Sequence, residues 1–490
     1  MDIQRSIHHL LKEEIGPSLI TRSAYDTAWV ARLSESGEPI GEQALEWLRE
    51  HQLADGSWGA SELEYYHDRL ICTLAAVTAL ARRHETQDHA RLQRAQPAIE
   101  KAIKGLKAAP ADETVGFEMI VPTLLAEAKA LGIIQPSSNG ILDRLVRQRA
   151  AKIATLSGRK INRFVTVAFS AEMVGPDGLH LLDVDNLQEA NGSVSYSPAA
   201  TAFFAQHVHC LDSAALGYLN HVAINGAVPY VAPIEIFERA WPLWNLALID
   251  PLDNETLALC QPHLNFLETE WKPGEGIAAC AGLTLLDGDD TSLTFDVLAR
   301  FGRPVDLEGL LHYEKNDHFR CYTLETNPSI STNIHALGAL RQAGLGARHP
   351  SVQKILRFLQ HTRTPEQFWF GKWHASPYYP TSHAVIACAG YNIGMVDNAI
   401  RWILETQNTD GSWGYYTPTA EETAYCLQAL VVWRRHGGQV PGAVLKRGAV
   451  WLADHTEPPY PPLWIGKCLY CPILAVRSAV LSAMMLVAQE

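Results

Sequence analysis

Between Leu285 and Ser292 the chain reads LLDGDDTS, which puts three carboxylates, Asp287, Asp289 and Asp290, within four residues. Three chemistries fit that spacing. Asp and Ser open helices by accepting orphan backbone N–H groups, so the run could be a solvated helix start. Clustered oxygens also suit Mg²⁺. Alternatively, crowded carboxylates cannot all ionise cheaply, and one that stays protonated becomes a proton donor. Keeping an Asp neutral near pH 7 means raising its pKa by about 3 units, or ~4 kcal/mol, within reach of a desolvated like-charge cluster. The apolar stretch Ile277–Leu286, with Thr284 its one polar side chain, precedes the cluster, and Leu293, Phe295, Val297 and Leu298 follow it. That context points to a buried approach, while the spacing alone leaves all three readings open.

The elements that would position such a cluster read as helices nearly throughout. Leu70, Leu74, Val77 and Ala81 share one helical stripe, as do Ile400, Ile403, Leu404 and Gln407. An internal repeat organises them. Ala44–Gly59 (ALEWLREHQLADGSWG) and Ala399–Gly414 (AIRWILETQNTDGSWG) agree at 9 of 16 positions without a gap. A weaker copy begins at Gln188, with Val194 where the others carry Trp58 and Trp413. Each copy reads as a helix, a tight turn, an apolar plug and a second helix, and such hairpins stack to bury a shared core. Copies near both ends of the chain predict two all-α units built as barrels of helix pairs.

Composition narrows the function. The 490 residues are 47% apolar and 19% charged, enough for a large core. A net charge of −13 argues against nucleic acid or a polybasic membrane contact. Nine scattered cysteines indicate no disulfide framework. There is no apolar run of signal-peptide or membrane-spanning kind, so the expectation is a cytoplasmic protein without a transmembrane segment. No motif specifies an oligomeric state.

The DGDDT run resembles the D-x-D-D motif of the class II diterpene cyclases, and the Q-x-x-D-G-S-W copies resemble the Gln/Trp motifs of the wider terpene cyclase superfamily. Similar stretches occur in order along nearly the whole chain: SAYDTAWVA from Ser23, VGFEMIVPTLLAEAKALGI from Val115, PIEIFERAW from Pro233, STNIHALGALRQAG from Ser331 and EPPYPPLWIGKCLYC from Glu457. The resemblance implies an all-α fold of two (α/α)6-type double barrels. A β domain at 1–36 plus 230–490 would carry the acid motif, and a γ domain at 37–229 would be inserted into it.

It also implies roles. Asp289 would protonate the terminal alkene of geranylgeranyl diphosphate, tuned by Asp287 and Asp290, and the cation would cyclise with the diphosphate retained. Ser331 and His335, one turn apart on a partner helix, would hold the acid. Asp112, Glu113 and Glu118 match a shortened acidic Mg²⁺ motif, and Lys160 falls near a diphosphate-binding lysine. Trp369, Phe370, Trp373, Tyr378 and Tyr379 would offer π faces to cationic intermediates. Plant copalyl diphosphate synthases carry a His where this chain has Phe169. Its loss favours a rearranged, halimadienyl- or kolavenyl-type product over a copalyl one. A class I synthase would need D-D-x-x-D, whose last Asp is missing after Asp289-Asp290. A zinc prenyltransferase would need more than the single Cys468-x-x-Cys471 pair. A drimenyl-type sesquiterpene cyclase and a non-catalytic prenyl-binding barrel are the remaining alternatives.

Overall fold

The computed structural model describes residues 2–16, 18–106, 113–134, 140–155, 158–323, 325, 327–391 and 394–490. Within them the chain forms twenty α-helices. The first nine are α1 (Ile3–His9), α2 (Ala24–Ala31), α3 (Pro39–Glu50), α4 (Tyr66–Arg82), α5 (His89–Gly105), α6 (Phe117–Ala130), α7 (Gly140–Thr155), α8 (Pro198–Phe203) and α9 (Ser213–Val222). Then come α10 (Phe237–Leu246), α11 (Asn254–Glu270), α12 (Gly288–Arg300), α13 (Leu307–Leu311), α14 (Ile330–Gln342), α15 (Pro350–Thr362) and α16 (Tyr378–Ala389). The last are α17 (Asp397–Glu405), α18 (Ala420–Arg435), α19 (Gly442–Ala453) and α20 (Ile473–Ala488), with a two-residue hairpin, β1 (Trp464–Ile465) and β2 (Leu469–Tyr470), before α20.

Helices α10, α12, α14, α16, α18 and α20 each pack on the next, and α20 packs back on α10, closing a ring. Outside it lie α1, α11, α13, α15, α17 and α19, so six inner and six outer helices make an (α/α)6 barrel. The two kinds of helix differ in sequence for a physical reason. Outer α15 buries a single stripe, Val352, Ile355, Leu356 and Leu359, whereas every residue of inner α16 is buried. A second ring closes through α2, α4, α6, the 3₁₀ segment Thr166–Val174 and α8, with α3, α5, α7 and α9 outside.

Two apolar cores follow from the two rings. One gathers Ile7–Ile20 and residues from Val231 onward together with Tyr196, and the other spans Ala24–Val228 together with Cys468. The changeover near the N-terminus therefore falls between Ile20 and Ala24 rather than at residue 36. The whole of α2 is buried as an inner member of the second ring, while α1 packs outside α20.

The repeat runs further than its tryptophans. Trp58 and Trp413 donate their indole N–H to Leu48 and Ile403 carbonyls at 2.8 and 2.7 Å, and Trp369 does the same to Leu359 at 2.9 Å. The backbone N–H of the plug residue meets a side-chain oxygen on an inner helix in every copy. The pairs are Trp58–Thr73, Val194–Thr201, Ile277–Thr291, Phe319–Asn333, Trp369–Thr381 and Trp413–Thr423, all between 2.8 and 3.1 Å. Gly56, Gly192 and Gly411 turn in the left-handed region at φ +87°, +85° and +99°, where a Cβ would strike the carbonyl of Arg94, Ala214 or Arg447. Gln407, placed by periodicity on a helical stripe, lies beyond the end of α17, where its side-chain amide donates to the Gly411 and Val444 carbonyls.

Candidate active site

The repeat fixes the register of the aspartates. Ser23, Ser197, Ser329 and Thr419 cap α2, α8, α14 and α18, and the Thr or Asn that holds a plug residue follows the cap by four on α8, α14 and α18. Asp287 occupies the same cap position on α12, with Thr291 four residues on. Its Oδ1 accepts the N–H groups of Asp289 and Asp290 at 2.9 and 2.8 Å. Asp290, like Asp26 and Glu422, is the acid three residues after a cap. Two of the three carboxylates in the motif thus build the helix start. Asp289, two residues after the cap, occupies the register position shared with Ser331 on α14, Tyr379 on α16 and Glu421 on α18. One turn deeper, the same helices carry His335, His383 and Tyr425.

These layers assemble a polar chain inside an aromatic shell. His335 Nδ1 lies 2.7 Å from Asp289 Oδ1, and Ser331 Oγ donates to Oδ2 at 3.4 Å. Ser329 Oγ sits 3.0 Å from Ser331 Oγ and accepts the Trp373 indole N–H at 3.1 Å. Trp241 stands edge-on to His335 with centroids 5.2 Å apart and to Trp464 at 5.0 Å, and Tyr379 lies 5.2 Å from Trp464. On the other flank, Tyr230 and Tyr470 face each other at 4.3 Å, and Phe169 stands edge-on to Tyr230 at 5.7 Å. Glu421 ties the shell together, accepting from the Trp464 indole at 2.7 Å and the Tyr425 hydroxyl at 3.1 Å.

Burial dominates the electrostatics. It lifts Asp287 to about 7, opposed by the backbone N–H of Asp290 and reinforced by the charge of Asp289. Asp290 is pushed well above the carboxylate range by burial and then by Asp287 and Asp289. The expectation of neutral carboxyls in a crowded, dry cluster therefore describes these two groups.

The other residues singled out in the sequence separate into three groups. Tyr379 and Trp373 join the Asp289 neighbourhood. Trp369 does not: it is a fully buried repeat plug. Tyr378 points outward instead, stacking on Trp402 of α17 at 4.6 Å, because adjacent helical residues diverge by ~100°. Phe370 is edge-on to Tyr415 at 5.8 Å. Lys160 is exposed, just ahead of the bridge between Ile161 and Leu182.

Asp112 lies outside the described residues. Glu113 accepts from Arg144 at 2.8 Å, and Glu118 pairs with Lys152. Both described acids of the shortened motif thus already face a cation from α7, so they do not fit a divalent-ion site as they stand. Among the described residues one trio, Asp68, Cys72 and Cys468, has donor atoms within 4.8 Å of one another. Asp68 there accepts the N–H groups of Ala60 and Leu469 at 2.8 and 2.7 Å, which makes it a backbone anchor. Missed in the sequence were His383, Tyr230 and Glu421; Trp241 and Trp464 stood inside motifs but without a role.

Comparison with known proteins agrees with this geometry. Residues 321–457 match the Squalene-hopene cyclase C-terminal domain family. The chain is 46% identical over 480 residues to the Type B diterpene cyclase of Mycobacterium tuberculosis, covering 96% of each. It is 31% identical to an Ent-copalyl diphosphate synthase of a Streptomyces species, covering 95% of this chain and 92% of that one. Among solved structures, ent-copalyl diphosphate synthase from Streptomyces platensis superposes with a TM-score of 0.82 at 30% identity, over the full length of both chains. Relatives that span the whole chain, with a barrel presenting Asp289 among aromatic faces, place the protein in the bacterial class II diterpene cyclases.

Proposed function

We propose that this cyclase acts on geranylgeranyl diphosphate, that Asp289 delivers the initiating proton to the terminal alkene, and that the diphosphate is retained. The observation carrying this is the division of labour in the cluster. Asp287 is committed to two backbone N–H groups and Asp290 to Asp287. Asp289 alone combines a His335 contact with an accessible carboxyl, its side chain 18% exposed, whereas Asp287 is buried. An alkene is a very weak base, so the acid must be aimed as well as neutral. The neighbouring π faces of Trp241, Tyr379 and Trp464 suit the cation that follows, in a water-poor space.

The anionic end calls for cations. Lys160 is our candidate there, and Glu113 and Glu118 are neutralised within the protein. Phe169 on the Tyr230 flank supports a rearranged skeleton: no imidazole stands there to help hold a water base, so hydride and methyl shifts precede deprotonation.

Purified protein incubated with geranylgeranyl diphosphate, followed by dephosphorylation and mass spectrometry with NMR, tests all three parts. The expected product is a bicyclic, rearranged alcohol. Asp289→Asn should lower the rate by about 10²–10⁴-fold with an unchanged circular dichroism spectrum. Normal cyclisation by that variant would remove Asp289 from its role, and an unrearranged copalyl product would end the rearrangement reading.

A further inference from the structure

Behind Asp289 the polar chain continues past His335. His335 Nε2 lies 3.1 Å from His383 Nδ1, so two imidazoles follow the carboxyl in line. His383 is 1% exposed and stacks on Trp244 with centroids 4.6 Å apart. Its Nε2 is buried without a protein partner and borders a cavity of about 10 Å³, lined by Asp296, Arg300 and Arg341 as well as Trp244. That is room for about one water with polar partners. Asp296 accepts the Trp244 indole N–H at 3.0 Å and pairs with Arg300 at 2.5 Å.

These contacts give the chain a direction. An N–H at His383 Nε2 has room for a water partner in the cavity it shares with Asp296, leaving Nδ1 as an acceptor. The one donor Nδ1 can accept from is His335 Nε2–H. We propose that His383 is a positioning residue that holds His335 as a double donor. Its Nδ1–H is thereby presented to Asp289, and the carboxylate is stabilised as it gives up its proton. This rests on the reading of Asp289 as the acid. His335 Nδ1 lies 2.7 Å from the carboxyl, and a neutral acceptor behind the ring removes the cost of a second buried N–H. Burial, and then the neighbouring His335 and His374, hold His383 well below the ordinary imidazole range, so it stays neutral beside the charged ring. The titratable groups facing the pair are Asp289, Asp296 and Arg300 from α12, Arg341 from α14, Tyr379 from α16, Tyr425 from α18, and His374.

The test uses the whole enzyme with His383→Phe, His383→Asn and Asp289→Asn, assayed with geranylgeranyl diphosphate across pH. His383→Phe keeps the stack on Trp244 and loses the acceptor. The expected result is kcat lower by about 10- to 100-fold with KM little changed, and an alkaline limb moved about one pH unit downward. His383→Asn keeps an acceptor oxygen and should recover most of kcat. Equal loss in both variants with an unmoved pH profile would mean a packing role and overturn the proposal, as would full activity in His383→Phe. If His383→Phe does not fold, ring ¹⁵N shifts of His335 in the native enzyme decide the matter: protonation at both nitrogens at pH 7 is expected, and a neutral ring overturns it. The Asp289→Asn arm separates the two failures. An active variant sinks the acid assignment, while the ¹⁵N result still reports on His335.

Discussion

Tyr378 and Tyr379 are neighbours in the chain, yet one stacks on an outer helix and the other stands among Trp241, His383 and Trp464. Single side chains in this molecule take their meaning from register. Phe169 is the sharpest case. It stands edge-on to Tyr230, and the Lys467 ammonium lies 4.6 Å from its ring centroid on another side. A cation so close keeps any imidazole placed there neutral, with a ring nitrogen free to hold a water base. Phe169→His should therefore divert part of the product from the proposed rearranged skeleton to the copalyl one, readable as a new peak in the dephosphorylated extract. An unchanged product profile would show that Phe169 does not border the cation.

At the scale of elements, four inner helices, α8, α12, α14 and α18, share one start. A hydroxyl or carboxylate caps the helix, an acid follows three residues later on α12 and α18, and a Thr or Asn at the fourth holds the preceding plug. The buried acids of this device make stability depend on pH. Glu422 accepts from Thr419 Oγ1 at 2.6 Å, Ser376 Oγ at 2.5 Å and Tyr415 N–H at 2.8 Å, yet burial still lifts it from 4.5 to about 7. Because the folded form binds its proton more tightly than the unfolded form, its contribution is full below pH 4.5 and is lost as pH rises towards 7. For one group the change is about 3 kcal/mol. Glu422→Gln cannot titrate, so the difference in urea-unfolding free energy between pH 5 and pH 8 should shrink by that order; an identical difference in both proteins would refute it. The same device decides what the sequence could reveal. Trp58 and Trp413 advertise their copies, and the i, i+4 pair Ser331 and His335 is legible because both lie on one helix. Ile277 and Phe319 fill the plug position without a distinctive residue, and Gln367, at φ +77°, stands where Gly56, Gly192 and Gly411 turn their copies. The plug-to-helix separation also varies from 7 to 15 residues, which hides the period. His383 and Trp241 were missed for another reason: they reach His335, beside Asp289, from separate helices, and only closure of the ring brings them there.

The two barrels meet along the segment from Trp464 to Cys471, and that seam is both structural and chemical. Val115 N–H donates to the Gly466 carbonyl at 2.8 Å and Leu469 N–H to Asp68 at 2.7 Å, joining the hairpin to the inserted ring. Trp464 and Tyr470, on the two strands, face the aromatic shell around Asp289. Between them in sequence, Lys467 is fully buried and donates to Glu172 at 2.7 Å and Ser197 at 2.7 Å. Glu172 also accepts from the Tyr25 hydroxyl at 2.8 Å, and Asp26 alongside is raised to about 6 by burial against the pull of Lys467. One ammonium thus neutralises acids from the inserted ring while its backbone belongs to the hairpin that carries the active-site aromatics. Removing it leaves a buried carboxylate unpaired, which costs about 3–5 kcal/mol, more than a surface pair is worth. Lys467→Met should lower the unfolding free energy by that amount and, because Trp464 and Tyr470 lose their anchor, reduce cyclisation even where the protein is folded. Adding Glu172→Gln removes the stranded charge and should restore more than half of the lost stability without restoring activity in proportion. Urea unfolding followed by fluorescence, alongside product formation, measures both. Equal recovery of stability and activity would place the role of Lys467 in the charge pair alone, and no loss in Lys467→Met would remove the seam as the joint between acid and cavity.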